Sequence, residues 1–368
     1  MVDTAARTRR AGAGRDLVTE LLGIWLLLAV FLDGWAHLHL LGLETFFTPW
    51  HAALYSGLVA SAAWTASVIW TNREPGQPLA RAIPAGYKGT VIGLVLFALA
   101  GVLDLAWHEI LGIETSLDAL VSPTHLLLGF SLFLILGTGI RSARAAGRSD
   151  AFEWTPPAVL AVVLMAGLGA FFLIYCSAFV RTPPAVPYIP TPIGSPGRTQ
   201  AEMPAALGMA SYLVTTALII APFLYTLSGA RRPPHGIATI LVVVVAWLPL
   251  AMSGLRPAAA AGAAGATIAA VVADLLLARW ARPWLGRRLA AVTALLAALI
   301  WTGQLVGIAV TSGIAWPVSM WLGAVVLSAG LAAGLAFVSS WNSGSVQSHA
   351  PISPLPVAGS AAAFRRRR

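Results

Sequence analysis

The chain is poor in cysteine and in charged residues. Among 368 residues it has a single cysteine, Cys176, and only 10% of its residues are charged. One cysteine excludes a disulfide within the chain and a cysteine-based zinc or iron–sulfur site made by this chain alone. The sequence also lacks a phosphate loop, a nucleophile elbow and a His-Glu-x-x-His helix, so ATP-driven transport and the common hydrolase chemistries have no support.

Apolar residues are what the chain has in abundance, at 58%. That fraction excludes the soluble globular classes and indicates an integral membrane protein. The alternating segments of about ten residues that are typical of outer-membrane barrels do not occur. We therefore predict an all-α integral membrane protein with about ten transmembrane helices, each long enough for a hydrocarbon core of ~30 Å. The predicted spans are residues 18–42, 51–71, 88–111, 123–141, 156–180, 205–228, 236–254, 258–279, 288–311 and 317–340.

The net charge of +9 is distributed very unevenly along the chain. If the N-terminus is cytoplasmic, only Arg181, Arg198 and Arg256 of the 23 Lys and Arg residues lie on the outer side. This positive-inside bias predicts that both termini are cytoplasmic, and the inner basic clusters suit anionic lipids. The distribution of charge thus indicates that the partner is the lipid bilayer and not a nucleic acid. The expected location is a prokaryotic plasma (inner) membrane, in which the protein is multi-pass with its first helix retained rather than cleaved as a signal.

Four regions are expected along the chain. Residues 1–16 form a basic leader and residues 341–368 a basic tail, both predicted to be disordered. Residues 17–150 form a four-helix half and residues 151–340 a six-helix half. Within the second half, the proline-rich loop 181–204 is predicted to be extended. Two glycine pairs there, Gly262 with Gly265 and Gly330 with Gly334, predict close helix packing.

The scarce acids and histidines are concentrated in two similar motifs in the four-helix half. The motifs contain five of the seven histidines and six of the fourteen acids. This recurrence predicts a duplicated helical hairpin, and a cluster of ionisable residues in a membrane protein indicates function. The motifs run, in order, Asp33-x3-His37, Gly42-x-Glu44 and Pro49-x-His51, then Asp104-x3-His108, Gly112-x-Glu114 and Pro123-x-His125.

Each motif combines residue types that bind metal ions. In Asp-x3-His the two side chains lie on one face of a helix, a turn apart. In Thr-Pro-x-His and Ser-Pro-x-His the hydroxyl predicts an N-cap and the proline the first helical position. The histidine then lies in the first turn, where the helix dipole disfavours the charged imidazole and leaves the neutral, metal-binding form.

One carboxylate and two imidazoles per motif suit copper, zinc or iron. The lack of a thiolate disfavours a Cu(I) relay built on sulfur. Glu44 and Glu114 are candidates for proton transfer or for completing and orienting the ligand set. The predicted metal ligands are Asp33, His37, His51, Asp104, His108 and His125.

Other polar and aromatic residues have simpler explanations. His39, Glu109 and Asp118 occur in one motif only, so they are not expected to be ligands. Glu202 is expected at a helix start, where the helix dipole favours its negative charge. Asp274 is expected to pair with a basic residue at the inner face. The aromatic residues near the motifs are predicted to form an interfacial belt; they are Trp35, Trp50, Trp107, Phe46 and Phe47.

The pattern Asp33-x3-His37-x13-His51, and less closely Asp104-x3-His108-x16-His125, resembles the helical copper site of the C subunit of particulate methane and ammonia monooxygenases. The resemblance covers a few residues in each motif. It implies copper and oxidative chemistry. The segments around Pro49 and Pro123 also resemble an uncharacterised family of actinobacterial multi-pass membrane proteins, which implies no activity.

Three hypotheses follow. The first is a metalloprotein, with copper favoured over zinc or iron, that handles the metal or performs redox or hydroxylation chemistry on a membrane-soluble molecule. The second is a proton- or cation-coupled secondary transporter, since internal repeats and clustered ionisable groups also occur in such carriers. The third is a structural or assembly subunit. The sequence leaves open whether the two motifs form one metal site or two.

Overall fold

The chain folds into a bundle of α-helices in the computed structural model. The structure describes residues 10–40, 46–112, 114, 116–146, 154–227, 234–279 and 288–347, with side chains to residue 340. Of those residues, 83% are helical and none lies in a strand. The all-helical fold class is therefore confirmed.

Fourteen α-helices are formed by the described residues. The first seven are α1 Ala13–His39, α2 Pro49–Asn72, α3 Leu79–Ala82, α4 Lys88–Leu111, α5 Leu117–Val121, α6 Pro123–Leu136 and α7 Thr138–Ala146. The others are α8 Pro156–Phe172, α9 Ala178–Arg181, α10 Arg198–Leu227, α11 Ile237–Ser253, α12 Pro257–Ala278, α13 Leu289–Ser312 and α14 Val318–Gln347.

Eight helical segments in the described part of the chain are long and apolar enough to cross a membrane, with α6 and α7 acting together as one span, Pro123–Ala146. Two further apolar helices, α8 and α11, have 17 residues each and are shorter than the usual span. The structure thus supports a helical membrane protein.

Proline and glycine set several helix ends. Proline occupies the first turn of α2, α6, α8 and α12, where its missing N–H removes no helical hydrogen bond. Glycine follows α4 and α13 with φ of 86° at Gly112 and 73° at Gly313, a conformation that L-residues avoid. These local signals place the chain reversals, including the two that carry the histidine motifs.

Several helix ends differ from the sequence-based expectation. Helix α1 begins at Ala13, inside the predicted leader, and α14 continues to Gln347, beyond the predicted end at 340. The rest of the predicted leader and tail, 1–9 and 348–368, lies outside the described residues.

The proline-rich loop differs from the prediction at both ends. The helix before it was predicted to reach residue 180 but ends earlier. Helix α8 ends at Phe172, and a 3-10 turn and α9 follow it. Helix α10 begins at Arg198 and a 3-10 turn spans Pro183–Ala185, so the predicted extended conformation is wrong for both of these parts of the loop. Arg198 Nε lies 3.1 Å from Glu202 Oε1 one turn later, and such i,i+4 pairs favour a helix. Pro204 is accommodated inside α10.

Two large cores lie side by side. One joins α1, α2, α4, α6 and α8, with Met252 of α11 at its edge. The other joins the helices from α8 to α14. The predicted close approach at Gly262 and Gly265 is confirmed, since a side chain there would meet Gln304 or the backbone at Gly303. The one at Gly330 and Gly334 is wrong, because no described atom lies within 4 Å of a Cβ built on either.

Candidate metal centre

Both histidine motifs lie at the same end of the bundle, which we call the histidine end. It comprises the end of α1 and the start of α2 for the first motif, and the end of α4 and the start of α6 for the second. The same cavity is lined by residues of both motifs. We call the three predicted ligands of each motif the first cluster (Asp33, His37, His51) and the second cluster (Asp104, His108, His125).

The first cluster joins two helices through one carboxylate. Asp33 Oδ2 lies 3.8 Å from His37 Nε2 on the same helix, and Asp33 Oδ1 lies 3.4 Å from His51 Nε2 on α2. Thr48 caps α2 by accepting a hydrogen bond of 3.1 Å from the His51 amide, with Pro49 at the first helical position. The predicted cap is confirmed, and it fixes His51 in the first turn of the helix.

The second cluster repeats this arrangement almost atom for atom. Asp104 Oδ2 lies 3.6 Å from His108 Nε2, and Asp104 Oδ1 lies 3.4 Å from His125 Nε2. Ser122 caps α6 through the His125 amide at 3.4 Å, and Pro123 starts the helix as predicted. In each cluster one donor atom per residue lies within 4.8 Å of the others.

These separations suit a shared metal ion better than direct hydrogen bonds. Nitrogen–oxygen distances of 3.4–3.8 Å are too long for good hydrogen bonds. Ligand bonds of about 2.0–2.1 Å at a tetrahedral angle place neighbouring donor atoms roughly 3.3 Å apart. Each cluster therefore has the donor types and nearly the donor spacing that a small transition-metal ion requires.

Hydrogen bonds on the far side of two imidazoles direct their Nε2 atoms toward the clusters. His51 Nδ1 lies 2.6 Å from the carbonyl oxygen of Phe46, and His108 Nδ1 lies 3.3 Å from that of Gly112. A carbonyl only accepts, so each Nδ1 carries the proton and, in a neutral ring, Nε2 keeps the lone pair. Such partners commonly orient metal-binding histidines. His108 Nε2 is buried without a hydrogen-bond partner in the described part of the chain.

The two clusters differ in their supporting contacts. Thr124 donates a hydrogen bond of 2.7 Å to Asp104 Oδ1, whereas Trp50 stands at the corresponding place before His51. The Asp104 side chain is 2% exposed and that of Asp33 17% exposed. His37 Nδ1 has no hydrogen-bond partner among the described residues. The carboxylate of the second cluster is thus more deeply buried than that of the first, and an additional hydrogen bond holds it in place.

Glu114 lies beside the second cluster on the far side of His125. Its Oε1 accepts a hydrogen bond of 2.7 Å from Trp107, and its Oε2 lies 3.9 Å from His125 Nδ1. The direct hydrogen-bond partner of His125 Nδ1 is the Ser122 hydroxyl at 2.8 Å, so Glu114 lies close enough to influence this imidazole without bonding to it. Glu44, the corresponding acid of the first motif, lies outside the described residues.

Two aromatic residues lie beside the clusters. The Phe46 ring stacks on His51 with centroids 4.7 Å apart and lies 6.2 Å from the ring of His108. Tyr55, one turn after His51, lines the cavity and packs against Gly101 of α4. Phe46 was predicted only as part of an interfacial aromatic belt, but its ring also stacks on His51. Tyr55 was not predicted from the sequence as a residue of the site. The i,i+4 spacing from His51 to Tyr55 was the available signal.

The remaining polar candidates have local partners. His39 Nδ1 donates to the carbonyl of Trp35 at 2.9 Å and takes no part in either cluster. Glu109 is exposed. Asp118 accepts from the Ser116 hydroxyl at 2.7 Å, which holds the pKa of Asp118 below its ordinary value.

Asp274 has a structural role, but with a different partner from the predicted basic residue. Its carboxylate accepts hydrogen bonds from the amides of Ala238 at 3.2 Å and Thr239 at 2.8 Å, at the start of α11. The Thr239 hydroxyl donates a third bond of 2.6 Å. The carboxylate thus caps a neighbouring helix, where the dipole favours negative charge.

Two buried acids at the opposite end of α1 were missed by the sequence analysis. Glu20 is 1% exposed, and its Oε1 accepts a hydrogen bond of 2.6 Å from the amide of Gly139. Asp16 is 8% exposed and accepts from Tyr87 at 2.9 Å and Ser142 at 2.7 Å. Their i,i+4 spacing in an apolar helix was the signal that could have identified them.

Comparisons of the chain with models of protein families, with curated proteins and with solved structures give no match. The functional proposal therefore depends on the geometry of the two clusters.

Proposed function

We propose that the protein is a polytopic membrane metalloprotein that binds one metal ion in each Asp/His/His cluster, with copper as the favoured metal. Its activity is metal handling, or redox or hydroxylation chemistry on a membrane-soluble molecule. The observation that carries the proposal is the recurrence of one donor geometry, in which an aspartate faces two Nε2 atoms at 3.4–3.8 Å in both clusters.

The donor set favours a reactive site over a closed structural one. Three protein donors leave at least one coordination position for another ligand, as in catalytic metal sites. A bound copper ion would supply one-electron redox chemistry and activate dioxygen or water. Glu114, 3.9 Å from His125 Nδ1, would hold or move a proton at the second cluster.

Copper is favoured for two reasons. Among divalent first-row ions it binds a given nitrogen and oxygen site most tightly. The Asp-x3-His…His pattern also resembles the copper site named above. Two histidines and one carboxylate also hold mononuclear iron in oxygenases, and zinc accepts the same donors. Iron and zinc are thus the alternative results of a metal analysis.

Metal analysis of the purified protein in lipid nanodiscs tests the proposal. We expect about two copper ions per chain, one for each cluster. His37→Ala and His108→Ala should each remove about one ion, because two donors bind far more weakly than three. In each of these variants, which retains one complete cluster, Cu(II) electron paramagnetic resonance should show coupling to two imidazole nitrogens.

His39→Ala is the matched control, since His39 lies in the same stretch of helix but outside the clusters. It should keep both ions and elute as a monodisperse protein like the two test variants. Metal content that stays the same in a variant without His37, His51, His108 and His125 would refute the proposal. Stoichiometric iron or zinc in place of copper would support the two metal sites and correct the identity of the metal.

A proton- or cation-coupled transporter is the second candidate. It is favoured by the buried acids Asp16 and Glu20, because α1 then bears ionisable groups at both of its ends. Cation uptake into proteoliposomes that is abolished both by Glu20→Gln and by Asp33→Asn would favour transport. Uptake that neither substitution changes would exclude a path through α1.

A further inference from the structure

The two clusters open onto one cavity at the histidine end. Its volume is about 260 Å³. Asp33, His37 and His51 of the first cluster line it, together with Asp104 and His125 of the second. A molecule in this cavity would therefore contact donor residues of both clusters at once.

The rest of the wall is largely hydrocarbon. It is formed by buried or half-buried side chains of seven helices, among them Leu54, Phe97, Leu128, Leu132, Phe171 and Phe172. Such a wall disfavours a charged ligand, because burial without a partner costs a charged group far more than an apolar one. The polar side chains of the wall are those of the two clusters together with Tyr55, Ser116 and Tyr175.

The cavity is accessible from the histidine end. Leu38 and Leu117 line it and are 49% and 52% exposed. Tyr175, which also lines it, is 40% exposed. These three residues belong to α1, α5 and the turn after α8, and they form an apolar rim that a hydrophobic molecule can cross.

The volume limits the size of the ligand. An apolar cavity of ~150 Å³ stays dry and holds benzene. A cavity of 260 Å³ has room for a molecule the size of a fused bicyclic hydrocarbon. Ligand pockets are typically apolar with a few placed polar groups, as here.

We propose that this cavity binds one neutral, mainly hydrocarbon small molecule, larger than benzene, against both clusters, so that the two clusters form one composite site. The contact with bound metal rests on the proposed function, whereas the cavity's affinity for hydrocarbon does not. The hydrocarbon can be a free small molecule or the acyl chain of a lipid. The test separates these two sources.

The probe is 1-fluoronaphthalene, observed by fluorine NMR with the full-length protein in lipid nanodiscs and with empty nanodiscs as blank. We expect a saturable bound signal from metal-free protein. Loading with Zn(II) should leave its width unchanged, and loading with Cu(II) should broaden it severalfold. The broadening should occur when either cluster alone is loaded, in His37→Ala/His51→Ala and in His108→Ala/His125→Ala proteins.

Substitutions in α6 test the location. Leu128→Phe, in the cavity wall, should weaken probe binding at least tenfold. Leu126→Phe is the matched control, since Leu126 is 49% exposed on the same helix and outside the cavity wall. Because Leu128→Phe can also disturb folding, Leu128→Ala provides the opposite change, and it should admit a fluoroanthracene that the wild-type cavity excludes.

Each result has a distinct meaning. Binding equal to that of empty nanodiscs, or equal in Leu128→Phe and wild type, overturns the inference even if two copper ions bind. Binding without broadening by Cu(II) overturns the composite site, and absent metal overturns the proposed function. Displacement of the probe by stoichiometric methyl stearate, a neutral ester with an acyl chain, identifies an acyl chain as occupant, and resistance to it identifies a free small molecule.

Discussion

Removal of the Thr124 hydroxyl should weaken metal binding at the second cluster alone. Thr124 donates a hydrogen bond of 2.7 Å to Asp104 Oδ1, the same oxygen that faces His125 Nε2. In Thr124→Val the side chain keeps its shape and loses the donor. The Asp104 carboxylate, 2% exposed, would then be less well held in the orientation that a metal ion needs.

The expected magnitude follows from the bond that is lost. A hydrogen bond to a charged group contributes about 1.5–3 kcal/mol. At 1.4 kcal/mol for each factor of ten, this corresponds to a loss of roughly 10- to 100-fold in affinity. Removal of a hydrogen bond that orients a metal ligand typically has an effect of the same size.

The assay is competition for Cu(II) against a chromophoric chelator in single-cluster proteins. In the His37→Ala/His51→Ala background, which retains the second cluster, Thr124→Val should lower the affinity and Thr124→Ser should restore it. In the His108→Ala/His125→Ala background it should have no effect. A change of less than twofold in the first background, or an equal change in both, would refute the orienting role of Thr124.

Three further changes have defined outcomes. Glu114→Gln should keep two metal ions per chain, because Glu114 faces Nδ1 of His125 and not the cluster; metal analysis measures this. Phe46→Ala should weaken Cu(II) binding at the first cluster two- to tenfold, since a stacked aromatic pair such as Phe46 and His51 contributes about 0.5–1.5 kcal/mol. Amide exchange of α5, corrected for intrinsic rates, should accelerate as the pH falls through the lowered pKa of Asp118. The sign follows because a carboxylate whose pKa is lowered by folding stabilises the folded segment fully above its unfolded pKa of about 3.9. This stabilisation is lost as the pH falls through the lowered pKa.

Matched measurements complete these three predictions. Loss of an ion in Glu114→Gln would make Glu114 a ligand. Phe47→Ala, at a ring that is 81% exposed, should leave the Cu(II) affinity unchanged, and an equal loss would contradict the stacking role of Phe46. The α5 amides of Asp118→Ala should exchange rapidly at every pH, and protection equal to wild type above pH ~5 would contradict the stabilising role of the Asp118 carboxylate.

Local rules in the sequence were sufficient for the elements that position the site. A hydroxyl followed by proline gave the start of α2 and α6, because these residues act within one turn of helix. The i,i+4 spacing placed each aspartate beside its helical histidine. The predicted ligands of each motif consequently come together as two triads.

Contacts between helices distant in sequence were beyond such rules. The shared cavity depends on how α1, α2, α4 and α6 pack, and residue spacing within one motif contains no information on that packing. Met252 illustrates this, since it comes from α11 and still lines the cavity beside the first cluster. Met252 introduces a thioether at a place that composition could not reveal.

The two motifs have the same donors and differ where their hairpins meet. Four residues after the helix-start histidine the first motif has Tyr55 and the second Gly129. Three residues before the aspartate the first has Val30 and the second Gly101. Tyr55 lies directly over Gly101, so the large residue of one hairpin fills the space left by the small residue of the other.

Gly101→Ala should therefore destabilise the histidine end. A Cβ at this position would lie 2.6 Å from the Tyr55 hydroxyl oxygen and 2.8 Å from a ring carbon, which is too close for an unaltered ring. Overpacking of this kind costs about 1–3 kcal/mol, so the melting temperature in nanodiscs should fall, and Tyr55→Leu in the same chain should restore it. Gly330→Ala is the control, because no described atom lies within 4 Å of its Cβ and alanine favours a helix over glycine by about 0.5–1 kcal/mol. A melting temperature for Gly101→Ala at or above that of Gly330→Ala would show that the two hairpins do not meet through Tyr55.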